Sequence, residues 1–485
     1  MSSTELEGSM GIKQPENSCF RKQHAVVIGA SMAGLLAGRV LSDHFERVTL
    51  IERDLLPANA QARKGVPQGL HVHGLLNKGA SILAEFFPDL FPALLEEGAI
   101  ALDTIEDGLW YHFGLWKARF PSGITGYTQS RPFLEQHIRD RLIARANIHF
   151  IDGCEVTRLL TTAGRSCITG VHLRYCNEEQ REQELAADLV VDAGGRGSQA
   201  PQWLASIGYG RVEESCVRVD VGYATRVYRR PDQALLDRKA LVIYPKPPHE
   251  KRAGYIFPIE DDRWIVTLAG WLRDYPPDDE ASFLNYARSL PASTLYEAVK
   301  DAEPVTPIFI HKFPANRRRH YERMSHFPEG FIVLGDAACV FNPLYGQGMT
   351  TAALEAKTLA ACLHQQLRIR ADGDLAGFAR RFQKALARVV EVPWLLATSE
   401  DFRYPETQGH RPPGIRLFNW YTGRVHALAG SHPLVTLRFY EVVHMLRPPT
   451  ALLTPRILFA VLFQRRQVPI KCEAEAHLSE LLQPH

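Results

Sequence analysis

Residues Gly29-Ala30-Ser31-Met32-Ala33-Gly34 follow a short apolar run, His24 to Ile28, and open a helical pattern. That spacing suits a loop that cradles a diphosphate. Gly29 permits a sharp turn, a small residue at 31 lets the backbone approach an anion, and Gly34 lets the helix pack closely on a sheet. The helix start then offers free N–H groups and about half a positive charge. Ser31 stands where the usual pattern has glycine, and its hydroxymethyl is small enough to serve. Glu52 comes 18 residues after Gly34, at the end of a second apolar run, and Arg53 follows it. A carboxylate there accepts from ribose hydroxyls and disfavours a 2′-phosphate.

A second chemical stretch is Phe331-Ile-Val-Leu-Gly335-Asp336-Ala337-Ala338, continuing through Asn342-Pro343 to Gly346-Gln347-Gly348-Met349. An apolar strand ending in Gly-Asp puts a carboxylate at a sheet's carboxyl edge, where ligands of open α/β folds bind. The Pro343–Gly348 turn opens a helix whose first N–H groups face an anion. Arg63, on the loop Arg63-Lys-Gly-Val-Pro-Gln68, has the reach to bridge to a diphosphate, and Arg131 sits at the head of a helix after Ser130. His71 and His73 read as packing residues, and Arg317-Arg318-Arg319-His320 as a solvated face. The chain has no Gly-x-Ser-x-Gly elbow, no His-Glu-x-x-His and no Walker loop. No acid/base pair stands out, so no catalytic residue is assigned, and no metal site is expected.

These residues need a frame. His24–Ile28, the pattern Met32, Leu35, Leu36, Val40, Leu41 and the run Val48–Ile51 spell β-turn-α-β, the unit of a parallel sheet. Residues 131–146 read as a helix and Leu189–Val191 as a further buried strand. Val217 to Val227 alternates with period two, as in a half-buried antiparallel strand. Tyr255–Ile259 and Trp264–Ala269 predict a hairpin across Glu260–Arg263. The parallel pattern resumes at Phe331. The expected fold class is therefore α/β: a Rossmann-type domain with an inserted antiparallel-sheet domain and a helical C-terminal region. The expected boundaries are a disordered tail over 1–22, a nucleotide domain over 23–100, 131–200 and 311–365, a substrate domain over 101–130 and 201–310, and a helical region over 366–485.

Bulk properties exclude several classes. With 56 Lys and Arg against 54 Asp and Glu, the net charge of +2 calls for no nucleic-acid partner. The eight cysteines form no C-x-x-C pair, which fits a reducing compartment. The polar N-terminus is no signal peptide, so a cytoplasmic location is expected. The apolar run Ile457–Phe463 falls far short of the ~20 residues that cross a bilayer. It reads as packing against the body, with a membrane-surface or lid role as the alternative.

At these motifs the chain resembles the FAD-dependent monooxygenases of the para-hydroxybenzoate hydroxylase type. Closer in look are the flavin epoxidases of polyether biosynthesis, through Arg63–Gln68, Ala187–Ser198, Ile259–Thr267, Leu334–Ala337 and Leu396–Ser399. The resemblance implies one FAD held by Gly29, Ser31, Gly34, Glu52, Arg53, Arg63, Arg131, Asp336, Pro343, Gly346, Gly348 and Met349, with the backbone of Val156 at the adenine. Reduced flavin carries negative charge near N1, which a helix start at Gly348 would stabilise. The implied activity is epoxidation or hydroxylation of an apolar polyene, polyketide or aromatic secondary metabolite through a flavin C4a-hydroperoxide. Aromatic hydroxylases carry Asp-Gly where this chain has Gly194-Gly195. NAD(P)H then serves either directly or through a separate flavin reductase. The alternatives are a flavin halogenase and an FAD-supported non-redox cyclase or binding protein. The halogenase Trp-x-Trp-x-Ile-Pro pattern is absent from Gly254-Tyr-Ile-Phe-Pro258.

Overall fold

The computed structural model describes residues 22–178, 180–231, 236, 239–370 and 373–463, so the tail expected over 1–22 lies almost wholly outside the described residues. Its centre is a five-stranded parallel sheet. Lys22–Ile28 lies between Phe45–Ile51 and Leu189–Asp192, with Ile148–Ile151 and Phe331–Val333 at the edges. Ala25, Val26, Val27, Leu50, Val190, Val191 and Ile332 are all fully buried. Strands apolar on both faces are what a parallel sheet covered by helices requires. The helix Met32–Leu41 and the late helix Gly348–Ile369 pack together, and Phe378–Asp401 packs on the latter.

An eight-stranded sheet stands against this core. Its longest strand is the 16-residue Glu214–Arg229, between Phe309–Arg319 and Arg263–Gly270. The hairpin Arg252–Ile259/Arg263–Gly270 forms across Glu260–Asp262. The alternation expected along 217–227 is only partly kept. Residues 221–225 are buried on both faces, because one side packs on Trp264 and Phe283 and the other on Trp271 and Phe313. A bulge between Arg218 and Val221, with Asp220 at φ +47°, bends the strand there. The last helices, Ile415–Leu428, Pro433–Val443 and Pro455–Phe463, share a separate apolar cluster that includes Val425, Phe439 and Val461. The fold is α/β, with a Rossmann-like parallel core, added antiparallel sheets and C-terminal helices.

Candidate cofactor and substrate cavity

The opening strand ends at Gly29, whose φ of +96° and whose contact with Ala193 O, 2.6 Å from where a Cβ would stand, leave room only for glycine. Five residues on, a Cβ at Gly34 would sit 1.8 Å from Gly29 O. That close approach locks the first helix onto the turn. Ser31 is the helix N-cap residue but makes no side-chain capping bond. Its hydroxyl instead donates to Glu135 Oε1 (2.6 Å) and accepts from Arg131 Nη2 (2.9 Å).

Arg131 and Glu135 lie one turn apart on the helix Arg131–Ile143, capped by Ser130, which accepts from Phe133 N. Arg131 Nε donates to Glu135 Oε1 at 2.8 Å. Burial raises the Glu135 carboxyl, but Arg131, Arg63 and the Ser31 hydroxyl outweigh it and hold it below the usual range. Arg63 completes this buried group rather than reaching the cavity. Its guanidinium meets Glu52 at 2.6 Å, Glu135 at 3.6 Å and the Ala30 carbonyl at 2.7 Å. Glu52 in turn accepts from Ala30 N (2.9 Å) and Asp54 N (3.1 Å). Two guanidiniums and two carboxylates thus brace the loop.

At the carboxyl edge of the parallel sheet the loops line one cavity of about 920 Å³, near the top of the roughly 300–1,000 Å³ range of ligand sites. Gly29, Ser31, Glu52, Arg53, Arg131, Val156, Asp336, Pro343, Gly346, Gly348 and Met349 all border it. Gly34 and Arg63 do not; they act behind the wall. Burial raises the Asp336 carboxyl, opposed by Arg196 and Arg131. Gly346 adopts φ +67°, ending the short turn Pro343–Tyr345 and starting the helix Gly348–Ile369. The Asn342 side chain accepts from Leu344 N (3.2 Å) and donates to Asp401 Oδ1 (2.9 Å).

The opposite wall comes from the eight-stranded sheet, whose strand Gly108–His112 runs parallel to Ala240–Ile243, and from the helix Pro433–Val443, with Trp110, Tyr223, Tyr244, Tyr255, Phe257 and Tyr440. Burial pushes the Tyr223, Tyr244, Tyr255 and Tyr440 phenols upward. Burial, with His311 and His73 nearby, lowers His71 to about 3; burial and Arg196 lower His311 to about 4. These groups are uncharged at neutral pH. His71 bonds Thr225 Oγ1 at 2.7 Å and stands edge-on to Tyr223, so it both packs and borders the cavity. Arg196 Nη1 lies 3.1 Å from His311 Nε2.

Several functional groups escaped sequence reasoning. For Glu135, the i,i+4 spacing from Arg131 is the signal that could have found it. Arg196, Glu355 and Asp401 gave no local signal. Glu355, fully buried on the late helix, accepts from Gly335 N at 2.6 Å through Oε2, while Oε1 has no partner among the described residues. Burial raises it to about 8. The basic run also departs from its expected solvated role. Arg318 and Arg319 are buried, ion-paired to Glu391 and Glu214, and Arg319 holds the Ala337 carbonyl at 2.9 Å. Arg317 holds the Arg196 carbonyl at 2.7 Å. The strand Phe309–Arg319 therefore pins both cavity turns. Gly194 N donates to Asp192 Oδ1, and Ser198 bonds the other oxygen, so Asp192 closes its own turn and does not replace the missing acid.

No family model matches the chain. The fold is similar to that of PqsL from Pseudomonas aeruginosa, described as a probable FAD-dependent monooxygenase, at TM-score 0.58 and 18% identity over 79% of this chain and 99% of that one. It is also similar to a triple mutant of the flavin-dependent brominase Bmp2, at TM-score 0.60 and 14% identity over 90% and 98%. Protein Rv3254 of Mycobacterium tuberculosis is 32% identical over 416 residues, 83% of this chain and 86% of that protein. With its sequence matched over most of both lengths, the chain belongs to the family of protein Rv3254.

Proposed function

We propose that this protein is an FAD-dependent monooxygenase that transfers one oxygen atom to an apolar polyene, polyketide or aromatic substrate. The observation that carries the reading is one cavity with two kinds of wall. Backbone loops and helix starts form one side, and neutral aromatic side chains form the other.

The residues present fit FAD. A Cβ at Gly195, Gly197 or Gly348 would meet nothing within 4 Å, so those turns open onto free space beside the cavity. The unpartnered Oε1 of buried Glu355 lies on its wall. Gly29, Ser31 and the first amides of the following helix would hold the diphosphate, Glu52 a ribose, and Val156 with Arg53 the adenine end. Asp336 would take the ribityl chain, and the Pro343–Met349 turn the flavin ring. Bound and reduced, FAD supplies the activation of dioxygen. This chain contributes orientation and a dry, uncharged surface beside the ring, where water would divert the reaction. Tyr244 and Tyr345, ring centroids 6.4 Å apart and nearly parallel, bring the sheet and the flavin-ring turn together at the junction.

Gly194-Gly195 favours electron supply by a separate NAD(P)H-dependent flavin reductase. The test is turnover of reduced protein with isotopically labelled dioxygen and a panel of lipophilic alkenes and arenes. Labelled oxygen in product supports the reading. Halide incorporated instead would assign the chain to the halogenases, and product formed without reductant would assign it to a cyclase.

A further inference from the structure

The last described helix, Pro455–Phe463, reads Pro-Arg-Ile-Leu-Phe-Ala-Val-Leu-Phe and is apolar at every position but Arg456. Such a helix belongs inside a core or against lipid. Among the described residues only one side is covered: Ile457, Ala460 and Val461 are buried, whereas Phe459 is 60% and Phe463 70% exposed, their rings 5.3 Å apart. The neighbouring helix Ile415–Leu428 repeats the arrangement. It buries Val425 and Leu428 and leaves Leu417 68% and Trp420 50% exposed. Arg424 joins the two, its guanidinium 5.8 Å over the Trp420 ring and its Nε on the Val461 carbonyl.

The charge around this face is one-sided. Residues 411–463 contain six arginines and a single acid, Glu441, in a chain whose net charge is only +2. Glu441 is taken by Arg438 and Arg447. Arg416 and Arg456 are exposed with no carboxylate partner among the described residues, and they lie one turn from Trp420 and Phe459. Aromatic and aliphatic side chains flanked by arginine form the pattern of a helix lying in a headgroup layer. No described helix is long and apolar enough to cross a membrane.

We propose that the exposed face of the helices Ile415–Leu428 and Pro455–Phe463 docks on an anionic lipid surface. The helix Pro433–Val443 shares their apolar cluster and puts Tyr440 and Val443 on the cavity wall. Docking therefore sets the cavity beside the phase in which an apolar substrate dissolves. That consequence rests on the proposed function; the docking does not, and its test needs neither flavin nor turnover.

The full chain is sedimented with mixed phosphatidylglycerol–phosphatidylcholine vesicles and with phosphatidylcholine alone. Binding is expected to the anionic vesicles and to weaken with salt. Arg416→Gln and Arg456→Gln should each weaken it about fivefold. The double variant Phe459→Asp/Phe463→Asp should abolish it with the melting temperature unchanged. A chain that stays in the supernatant with both lipids overturns the proposal, as does a double variant that binds like the parent. It is equally overturned if the parent is a dimer that the double variant splits and neither binds vesicles, since a second copy then covers the face. Binding only by a chain ended at Phe463 overturns it too, by assigning the face to residues 464–485.

Discussion

Arg131 donates through Nη2 to the hydroxyl of Ser31 over 2.9 Å, joining two helix starts that lie 100 residues apart. Both side chains border the cavity, and both converge on Glu135 behind it. The serine that interrupts the usual glycine pattern is thus a working part of the loop. It fixes the arginine that would otherwise need another acceptor at the cavity wall.

Removing that hydroxyl tests the arrangement. Ser31→Ala leaves Arg131 and Glu135 each short of one charge-assisted bond, a loss of about 1.5–3 kcal/mol. Ser31→Gly, although it restores the common motif, should cost a similar amount. Thermal melts and FAD titrations should show both variants weakened. Tighter FAD binding by the glycine variant would mean that Ser31 is merely tolerated.

Glu355 gives the protein a pH signature. Burial raises its carboxyl to about 8, against 4.5 for an exposed glutamate. Between those values the folded state keeps a proton that the unfolded chain has released. Stability from this group therefore falls as pH rises through that window and levels off above it. The slope is at most about 1.4 kcal/mol per pH unit. Glu355→Gln should flatten the decline in melting temperature between neutral and pH 8 in flavin-free protein. Identical pH profiles for the two proteins would refute the assignment.

Asp401 is fully buried and accepts from Trp271 Nε1, Asn316 Nδ2, Asn342 Nδ2 and Tyr345 Oη. Burial still raises it to about 6. It ties the Pro343–Gly346 turn to the second sheet. Asp401→Leu strands four donors, three of them buried, and should cost about 3–5 kcal/mol or more. Asp401→Asn, of the same shape, should fold yet release FAD faster than the parent. An unchanged release rate in Asp401→Asn would remove this residue from the positioning of the turn.

The parallel core was legible because its strands are buried on both faces, its first turn needs glycine at Gly29, and the helix that follows needs glycine at Gly34 to approach that turn. Both signals are local. The hairpin at Glu260–Asp262 was legible for the same reason. Less visible was everything made by long-range contact. The arginines at 317–319 read as a solvated face, yet the strand that carries them is enclosed between Glu214–Arg229 and the short strand Cys339–Val340. Arg63 was expected at the diphosphate, whereas Glu52 and Glu135 draw it behind the loop. The aromatic wall joins residues from 110 to 440, and no spacing rule connects them. Asp401, with four partners from three distant segments, carried no motif at all.

The measurement that bears most directly on the account is a titration of flavin-free protein with FAD, followed by flavin fluorescence. One FAD per chain is expected, with its fluorescence changed on binding, and Asp336→Ala should weaken retention about tenfold or more. A folded protein that is isolated colourless and takes up no FAD would contradict the central claim.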